Sequence, residues 1–282
     1  MDIPKFDYLW QYVDYWATQD PDFPLIRFKW KKYNAKEFKE AIDQLAKAFI
    51  SLGVKRGDRI ITILPMTMEF ALIYIASNSI GAICVPMDVR YRPADYRRFI
   101  PHIKPKVIIL IGKARGYDIT ETIRNLSSEF NSDIKYYMVG RDNFGKPFEE
   151  LLSIKYDLED DLEEARKSLE PDDGALIIFT GGTTGNPKAA MLSHRNIARA
   201  SYHESNYIGN RIENLGVEQR FKILVNLPAS HVGGPVEIMG TGLAGGNQLI
   251  LQEQWNPYSV LRISKKENVP LIGGFLRCMQ LF

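Results

Sequence analysis

The stretch LIIFTGGTTGNPKAAMLSH, residues 176–194, decides the fold. It opens with an apolar run, 176–179, that has the length and composition of a buried strand. The loop that follows contains glycines, which let consecutive backbone N–H groups converge on an anion, together with hydroxyl groups and one cation. The glycines are Gly181, Gly182 and Gly185, the hydroxyl groups belong to Thr180, Thr183 and Thr184, and the cation is Lys188. A strand followed by such a loop predicts a turn that binds a polyphosphate.

Two other interpretations of this loop are weaker. An ordinary glycine-rich turn between strands does not explain why threonines, Pro187 and Lys188 accompany the glycines within so few residues. A Walker A sequence is excluded because no Gly-Lys-Ser/Thr stands at the required spacing.

The loop resembles the signature TSGTTGxPKG of the adenylate-forming superfamily, which includes acyl-CoA synthetases, luciferases and peptide-synthetase adenylation domains. It differs at Gly181, where Ser is usual, and at Ala189, where Gly is usual. The first difference removes one hydroxyl donor, and the second exchanges one small residue for another. Lys188 and the pair of threonines are kept.

Further segments resemble the same superfamily, in the same order along the chain. Residues 33–65 are similar to its early region, and 79–91, SIGAICVPMDVRY, resemble KAGAxYVPLNPxY. Residues 226–234, NLPASHVGG, resemble LPLFHxxG, and residues 269–282 resemble the segment that lines the acyl pocket. This collinearity is more specific than any single motif, and within the superfamily the chain is similar to acyl-CoA synthetases.

Apolar patterns predict strands that alternate with helices along the chain. The predicted strands are a pair within 25–33 and single strands at 60–64, 82–85, 107–111, 134–139, 176–179, 189–192, 223–226 and 248–251. The predicted helices are 34–52, 67–81, one from 93, a weaker one across 117–130, one from 194 and one from 236. This alternation predicts an α/β fold of parallel βαβ units, with helices on both faces of the sheet.

The resemblance implies how the chain is divided. Residues 1–282 would be the N-terminal AMP-binding domain of a longer enzyme, with two parallel-type sheets flanked by helices, truncated before the barrel subdomain and the C-terminal domain. Residues 56–192 would form the subdomain with the phosphate loop. Residues 1–55 and 193–282 would form the second subdomain, and the substrate would lie in the groove between them. Because motifs expected after Phe282 are missing, we expect the fragment alone to be inactive.

The resemblance also implies the chemistry. In an acyl-CoA synthetase, a carboxylic acid attacks the α-phosphorus of ATP, pyrophosphate leaves, and coenzyme A then takes the acyl group. The loop, from Thr180 to Gly185, and Lys188 would neutralise the phosphates, and Mg²⁺ would bind the phosphates with Thr184 as a ligand. His231 would lie beside the acyl adenylate, although a lone histidine is more often structural. These roles suggest an enzyme of fatty acid metabolism. The alternative hypothesis for the function of the chain is a non-catalytic nucleotide-binding module or a split-gene subunit.

The composition restricts the partners. Lys and Arg number 36 against 34 Asp and Glu, and the net charge of +2 indicates neither nucleic acid nor an anionic membrane. Cys84 and Cys278 cannot form a disulfide framework, no Cys/His cluster has metal-ligand spacing, and the N-terminus is not a signal peptide. The longest apolar run, 70–75, is too short to span a bilayer. We therefore expect a cytoplasmic protein without a transmembrane segment, and leave open whether it forms a homo-oligomer.

Gly240, Gly242 and Gly245 match the dinucleotide fingerprint GxGxxG. The predicted secondary structure around them does not fit this fingerprint. These glycines end a predicted helix and precede a strand, whereas the fingerprint follows a strand and opens a helix. We interpret these glycines as positions of helix termination and close packing. A dinucleotide oxidoreductase is therefore the weakest of the functional hypotheses. The basic segment 90–98 is interpreted as the start of a helix with a solvated basic side, and the acidic segment 157–173 as a solvated helix or linker.

Overall fold

The fold is seen in a computed structural model, which describes residues 3–181, 188–214, 216 and 220–272. The helices are α1 Leu9–Gln19, α2 Ala35–Ser51, α3 Met68–Ser79, α4 Pro93–Ile103, α5 Ile119–Leu126, α6 Glu149–Ser153, α7 Glu159–Lys167, α8 His194–Glu213, α9 Thr241–Ala244 and α10 Pro257–Glu267. A 3₁₀ turn, Ser127–Glu129, follows α5, and a π-helix, Gly233–Gly240, leads into α9.

The strands are β1 Ile26–Phe28, β2 Lys31–Tyr33, β3 Arg59–Ile63, β4 Ile83–Pro86, β5 Val107–Ile111, β6 Lys113–Ala114, β7 Tyr117–Asp118, β8 Lys135–Val139, β9 Lys146–Pro147, β10 Gly174–Thr180, β11 Lys188–Ser193, β12 Lys222–Val225, β13 Gln248–Leu251 and β14 Leu271–Ile272. They form a seven-stranded sheet, in the order β11-β10-β4-β3-β5-β8-β9, and a five-stranded sheet, in the order β14-β12-β13-β1-β2. Strands β6 and β7 form a small separate hairpin.

Both sheets are parallel in their interior and carry one antiparallel pair at an edge. That pair is β10–β11 in the seven-stranded sheet and β1–β2 in the five-stranded sheet. The predicted α/β fold with two parallel-type sheets is therefore confirmed, and the antiparallel edges are an addition to it. They arise because β1–β2 and β10–β11 are joined by short loops, which connect antiparallel strands, whereas parallel neighbours need a crossover.

The helices begin where the sequence provides caps. Asn34 accepts a hydrogen bond from the backbone N–H of Glu37, whose side chain accepts one from the N–H of Asn34, so a capping box starts α2. Thr67 caps α3, and every residue of α3 is buried, as expected for a helix that is apolar nearly all round. Ser193 caps α8 and orients it directly after the edge strand β11.

One contiguous hydrophobic cluster links the two sheets. It includes Ile60 and Leu176 from the seven-stranded sheet, Ile223 and Leu249 from the five-stranded sheet, and the buried sides of α1, α2, α3 and α8. A second cluster covers the other face of the seven-stranded sheet, where α4 and α5 pack. As a result, the carboxyl ends of the parallel strands of both sheets are held beside one another.

Two predicted helices differ in the structure. The helix predicted across 117–130 begins at Ile119, because residues 113–118 form the hairpin β6–β7, with a turn at Arg115 and Gly116 whose φ angles are 49° and 78°. The helix predicted from 236 begins at Gly233 as a π-helix. A Cβ atom at Gly240 would lie 2.3 Å from Oγ of Ser201, so this glycine permits close helix packing.

A helix begins within each of the two charged segments. α4 begins at Pro93 and directs Arg97 to an ion pair with Glu129, with 2.7 Å between Nε and Oε2. α7 covers residues 159–167 of the acidic segment, and most of its residues are exposed. None of the helices in the described ranges combines the length and apolarity that a membrane span requires.

Candidate nucleotide and substrate site

The two ends of the glycine-rich loop are held together by an antiparallel pair. Thr180 is the last residue of β10 and lies opposite Lys188, the first residue of β11. The hydroxyl group of Thr180 donates a hydrogen bond to the backbone oxygen of Lys188, at 3.4 Å. Because β10 runs parallel to β4, the loop leaves the seven-stranded sheet at its carboxyl edge, where ligands of α/β proteins bind.

The described loop residues are open to a ligand. Thr180, Gly181 and Lys188 are exposed, and a Cβ atom at Gly181 would meet no heavy atom within 4 Å. Four other predicted phosphate-binding residues, Gly182, Thr183, Thr184 and Gly185, lie outside the described residues, and Thr184 is also the predicted metal ligand.

Aromatic packing fixes the base of the loop. The ring of Phe179 stacks on the ring of Phe99 in α4, with 4.2 Å between the ring centres and 30° between the ring planes. The adjacent residues of β10, Leu176, Ile177 and Ile178, are buried in the sheet. The strand that carries Thr180 is therefore anchored on both faces of the sheet, so its last residue has a defined position.

His231 follows β12, at the carboxyl edge of the five-stranded sheet. Its Nδ1 atom accepts a hydrogen bond from the backbone N–H of Gly233, at 3.1 Å, so in the neutral ring the proton is on Nε2. A Cβ atom at Gly234 would lie 2.4 Å from the backbone oxygen of Pro228, so only glycine allows this tight approach. The short loop and the π-helix together leave the imidazole exposed.

A hydrogen bond next to His231 joins the two sheets. Ser230 follows β12 and donates from Oγ to Oδ2 of Asp88, which follows β4, at 3.0 Å. Asp88 also accepts from Nε and Nη2 of Arg90, at 2.8 and 2.6 Å. Burial by itself would raise the pKa of Asp88, but the hydrogen bonds from Arg90 and Ser230 outweigh it and hold this pKa below its usual value.

The role of Asp88 was missed in the sequence. The signal was present, because Asp88 stands where the resembling motif VPLNP has Asn, and Ser230 stands where LPLFH has an aromatic residue. Each of these single-residue differences from the motif gives little information by itself. Only the fold shows that the two positions meet, since they lie on different sheets and 142 residues apart.

A cleft of about 640 Å³ lies at the same edge, between the carboxyl ends of the two sheets. Ser230 and Asp88 belong to its walls, together with residues that follow β3, β5 and β8. Asn226, directly after β12, also lines it and is only 2% exposed. Crevices of this size at the ends of parallel strands are the usual ligand sites of α/β proteins.

Comparison with known proteins identifies the family. Residues 13–280 match the family model described as AMP-binding enzyme. The chain belongs to the AMP-binding enzyme family.

Curated AMP-binding relatives are similar over much of this chain but are longer. The acyl-CoA ligase sidI of Aspergillus fumigatus is 24% identical over 270 residues, which cover 92% of this chain and 44% of the relative. The long-chain-fatty-acid–CoA ligase FadD13 of Mycobacterium tuberculosis is 24% identical over 232 residues, which cover 82% of this chain and 42% of the relative. The chain therefore spans less than half the length of these two relatives.

Solved structures share the fold. The N-terminal domain of FACL13 from Mycobacterium tuberculosis superposes with a TM-score of 0.73 at 19% identity, over 98% of this chain and 65% of that one. MbtA from Mycobacterium smegmatis superposes with a TM-score of 0.79 at 19% identity, over 96% of this chain and 48% of that one. These structures show the same fold, and the family match over residues 13–280 confirms the superfamily predicted from the loop and its flanking segments.

Proposed function

We propose that this chain is the N-terminal part of an ATP-dependent carboxylate–CoA ligase, which forms an acyl adenylate and then a thioester. The observation that carries the proposal is the antiparallel clamp, Thr180 opposite Lys188, at the carboxyl edge of the seven-stranded sheet. This clamp fixes both ends of the glycine-rich loop beside one another. The similarity to acyl-CoA ligases supports the same reaction class.

In the first step, a carboxylate oxygen of the acid bonds to the α-phosphorus of ATP, and the bond to the bridging oxygen of pyrophosphate breaks. Both reactants are anions, so the step needs positive charge and N–H donors that are in position beforehand. We assign this role to the ammonium of Lys188, the hydroxyl of Thr180 and the backbone N–H of Gly181. By resemblance, Gly182, Thr183, Thr184 and Gly185 complete the set.

In this scheme magnesium would act bound to the phosphates of the nucleotide. The described residues contain no group of three or more His, Cys, Asp or Glu side chains that could hold a metal ion. Mg²⁺ commonly binds substrate phosphates with few protein ligands, and it would neutralise phosphate charge as pyrophosphate leaves. Thr184 is the proposed protein ligand.

His231 is assigned to the acyl side of the reaction. Since Nδ1 accepts from the N–H of Gly233, the ring of neutral His231 has an N–H donor at Nε2. This donor would orient the reacting carboxylate or hold the carbonyl oxygen of the acyl adenylate. The position of His231 at the edge where the sheets meet supports the role.

The organisation of the protein follows the same proposal. Residues 56–192 would be the nucleotide-binding subdomain, and residues 1–55 with 193–282 would be the second subdomain. We propose that the remaining catalytic motifs lie on further polypeptide and that the enzyme acts in the cytoplasm. A non-catalytic nucleotide-binding module is the second candidate, and reading the gene beyond Phe282 separates the two.

The test combines binding and turnover. Titration calorimetry of this chain with MgATP should give saturable binding, which Lys188→Ala weakens at least tenfold, while Lys188→Arg keeps part of the affinity because the charge is kept. In the polypeptide that also carries the further motifs, Lys188→Ala should lower carboxylate-dependent release of pyrophosphate by about 100-fold or more. Equal ATP affinity and equal turnover in Lys188→Ala would refute the role given to the loop.

A further inference from the structure

Helix α10 turns a face to solvent that is both apolar and basic. Two large apolar side chains lie on it, since Tyr258 is 83% exposed and Leu261 is 52% exposed. The other exposed residues on this side of the helix are three cations, Arg262, Lys265 and Lys266. At about 100° per residue, the five side chains fall within an arc of about 140° around the helix axis. They therefore form one continuous face.

The opposite side of α10 packs on the five-stranded sheet. Val260 is buried there in a cluster with residues of β12 and β13. Glu267 lies on the same side and forms ion pairs with Arg27 in β1 and Lys222 in β12, with 3.1 and 3.5 Å between the charged atoms. The helix cannot turn its exposed face inward without losing these contacts, so the sheet fixes which residues face solvent.

Within the part of the chain that the structure describes, no carboxylate neutralises the cations of this face. Arg262, Lys265 and Lys266 form no ion pair there. The only acidic residue of α10, Glu267, is paired with the two cations of the sheet. The net charge of the whole chain is only +2, so the composition does not show this local excess. Unpaired cations close together on one face attract an anionic surface.

A comparison with α8 shows what is particular to α10. Tyr207 in α8 is 60% exposed, but the guanidinium group of Arg211 lies over its ring at 4.8 Å. α8 also carries Glu204 and Glu213, so its charge is mixed. On α10, no ring or cation of the described residues packs on Tyr258. This helix therefore combines uncovered apolar atoms with charge of a single sign.

This combination fits the surface of an anionic membrane. In a helix that lies in the interface, leucine enters the boundary of the acyl chains, tyrosine stays at the level of the headgroups, and lysine and arginine bind the lipid phosphates. The long aliphatic stems of the cations let their charges reach the headgroups past the apolar residues. Protein interfaces are depleted of lysine, so three cations around two apolar side chains favour lipid over an acidic protein.

We propose that α10 docks this chain on an anionic phospholipid surface, with Tyr258 and Leu261 in the interface and Arg262, Lys265 and Lys266 on the lipid phosphates. The association is weak and reversible, because one short helix supplies few apolar side chains and three cations. It requires no membrane span, since the helix lies on the surface. It is also independent of the proposed ligase function, because no residue of this face belongs to the glycine-rich loop or lines the cleft between the sheets.

The test is co-sedimentation of this chain with lipid vesicles. Vesicles of phosphatidylcholine that contain about one third phosphatidylglycerol should bind the chain at low salt, and vesicles of phosphatidylcholine alone should bind it at least about tenfold more weakly. Binding to the anionic vesicles should fall about tenfold or more when NaCl is raised from about 50 to about 500 mM, because salt screens exposed charges.

Two sets of substitutions separate the charged from the apolar contribution. The triple variant Arg262→Gln, Lys265→Gln, Lys266→Gln should weaken binding to the anionic vesicles about 100-fold, which corresponds to about fivefold per cation. The double variant Tyr258→Ser, Leu261→Ser should weaken it about tenfold, because less apolar area enters the interface. All five side chains are exposed, so both variants should keep the fold, which circular dichroism checks. Both should also keep the affinity for MgATP of the unaltered chain.

Matched controls make the same kinds of change on other elements. The triple variant Lys55→Gln, Lys155→Gln, Arg211→Gln removes the same charge from three exposed positions outside α10. Tyr207→Ser removes an exposed ring from α8. Each control should bind the anionic vesicles within about twofold of the unaltered chain, because screening confines the effect of a charge to its surroundings.

Each outcome decides the inference. If the α10 triple variant and its control lose binding equally, the attraction is a general effect of charge and the inference is wrong. Equal binding of the double variant and the unaltered chain would show that α10 does not enter the interface, which also contradicts it. Binding to neither kind of vesicle would overturn the inference in favour of an acidic protein as the partner of this face. Since MgATP binding is measured separately, none of these results bears on the role of Lys188.

Discussion

The two sheets carry the two halves of the candidate site but are covered very differently. Large apolar clusters cover both faces of the seven-stranded sheet, which positions Thr180 and Lys188. The five-stranded sheet, which positions His231, shares the central cluster on one face. On its other face the described residues form a small cluster of Leu224, Ile250 and Val260. Among the described residues, the half proposed to bind nucleotide therefore has the larger apolar clusters.

Matched leucine substitutions give the largest effect expected from this comparison. Leu110 in β5 and Leu224 in β12 are both 0% exposed. Leu110→Ala should lower the free energy of unfolding by about 4 kcal/mol and Leu224→Ala by about 2 kcal/mol, since the cost depends on how tightly the surrounding residues pack and whether the site can collapse. Urea denaturation measures both. Equal costs would mean that the two sheets are equally well packed.

The stability of the fold should depend on pH through a buried histidine at the start of α8. His194 begins α8 directly after β11, and burial lowers its pKa to about 4, with a smaller lowering from Arg56 and an opposing effect of Asp173. The unfolded chain binds a proton near pH 6.5 and the folded chain does not, so stability present above pH 6.5 is lost as the pH falls towards 4. The loss is of the order of 3 kcal/mol.

Thermal or urea denaturation between pH 7 and pH 4 measures this dependence. His194→Gln should reduce the part of the slope that this residue causes, whereas His203→Gln, on the exposed side of the same helix, should not. An unchanged slope in His194→Gln would show that other groups cause the acid sensitivity.

The hydrogen bond between the sheets should contribute less. Ser230→Ala removes the donor to Asp88, but Asp88 keeps Arg90 and part of its exposure to water, so we expect a loss of about 1 kcal/mol. Because the bond joins the ends of β4 and β12, the variant should also raise the KM for the acid more than it changes the affinity for ATP. Ser153→Ala, whose hydroxyl donates to a backbone oxygen one turn earlier on an exposed helix, is a suitable control. An equal effect of the two substitutions would argue against a specific link between the sheets.

Much of the fold could be predicted because local patterns agree with it. The strand predicted at 107–111 has those bounds, and the helix predicted at 34–52 spans Ala35–Ser51 behind its capping box. The loop could be predicted because its chemistry lies within a few consecutive residues. The left-handed turn at Arg115 could not be predicted. A β-carbon is disfavoured at positive φ, and the sequence around Arg115 is a polar stretch without a clear strand pattern.

The parts of the site that come from tertiary contacts were not predictable in the same way. Asp88 and Ser230 meet only because two sheets share one central cluster and open at the same edge. The subdomain boundaries and the roles of Lys188 and His231 stay predictions.

The most direct test of the central claim is a crystal structure of this chain with a non-hydrolysable ATP analogue and Mg²⁺. The account predicts that the triphosphate lies against the turn between β10 and β11, with phosphate oxygens within hydrogen-bond distance of the Lys188 ammonium and the Thr180 hydroxyl. A triphosphate bound elsewhere, with Lys188 free of contact, would contradict it.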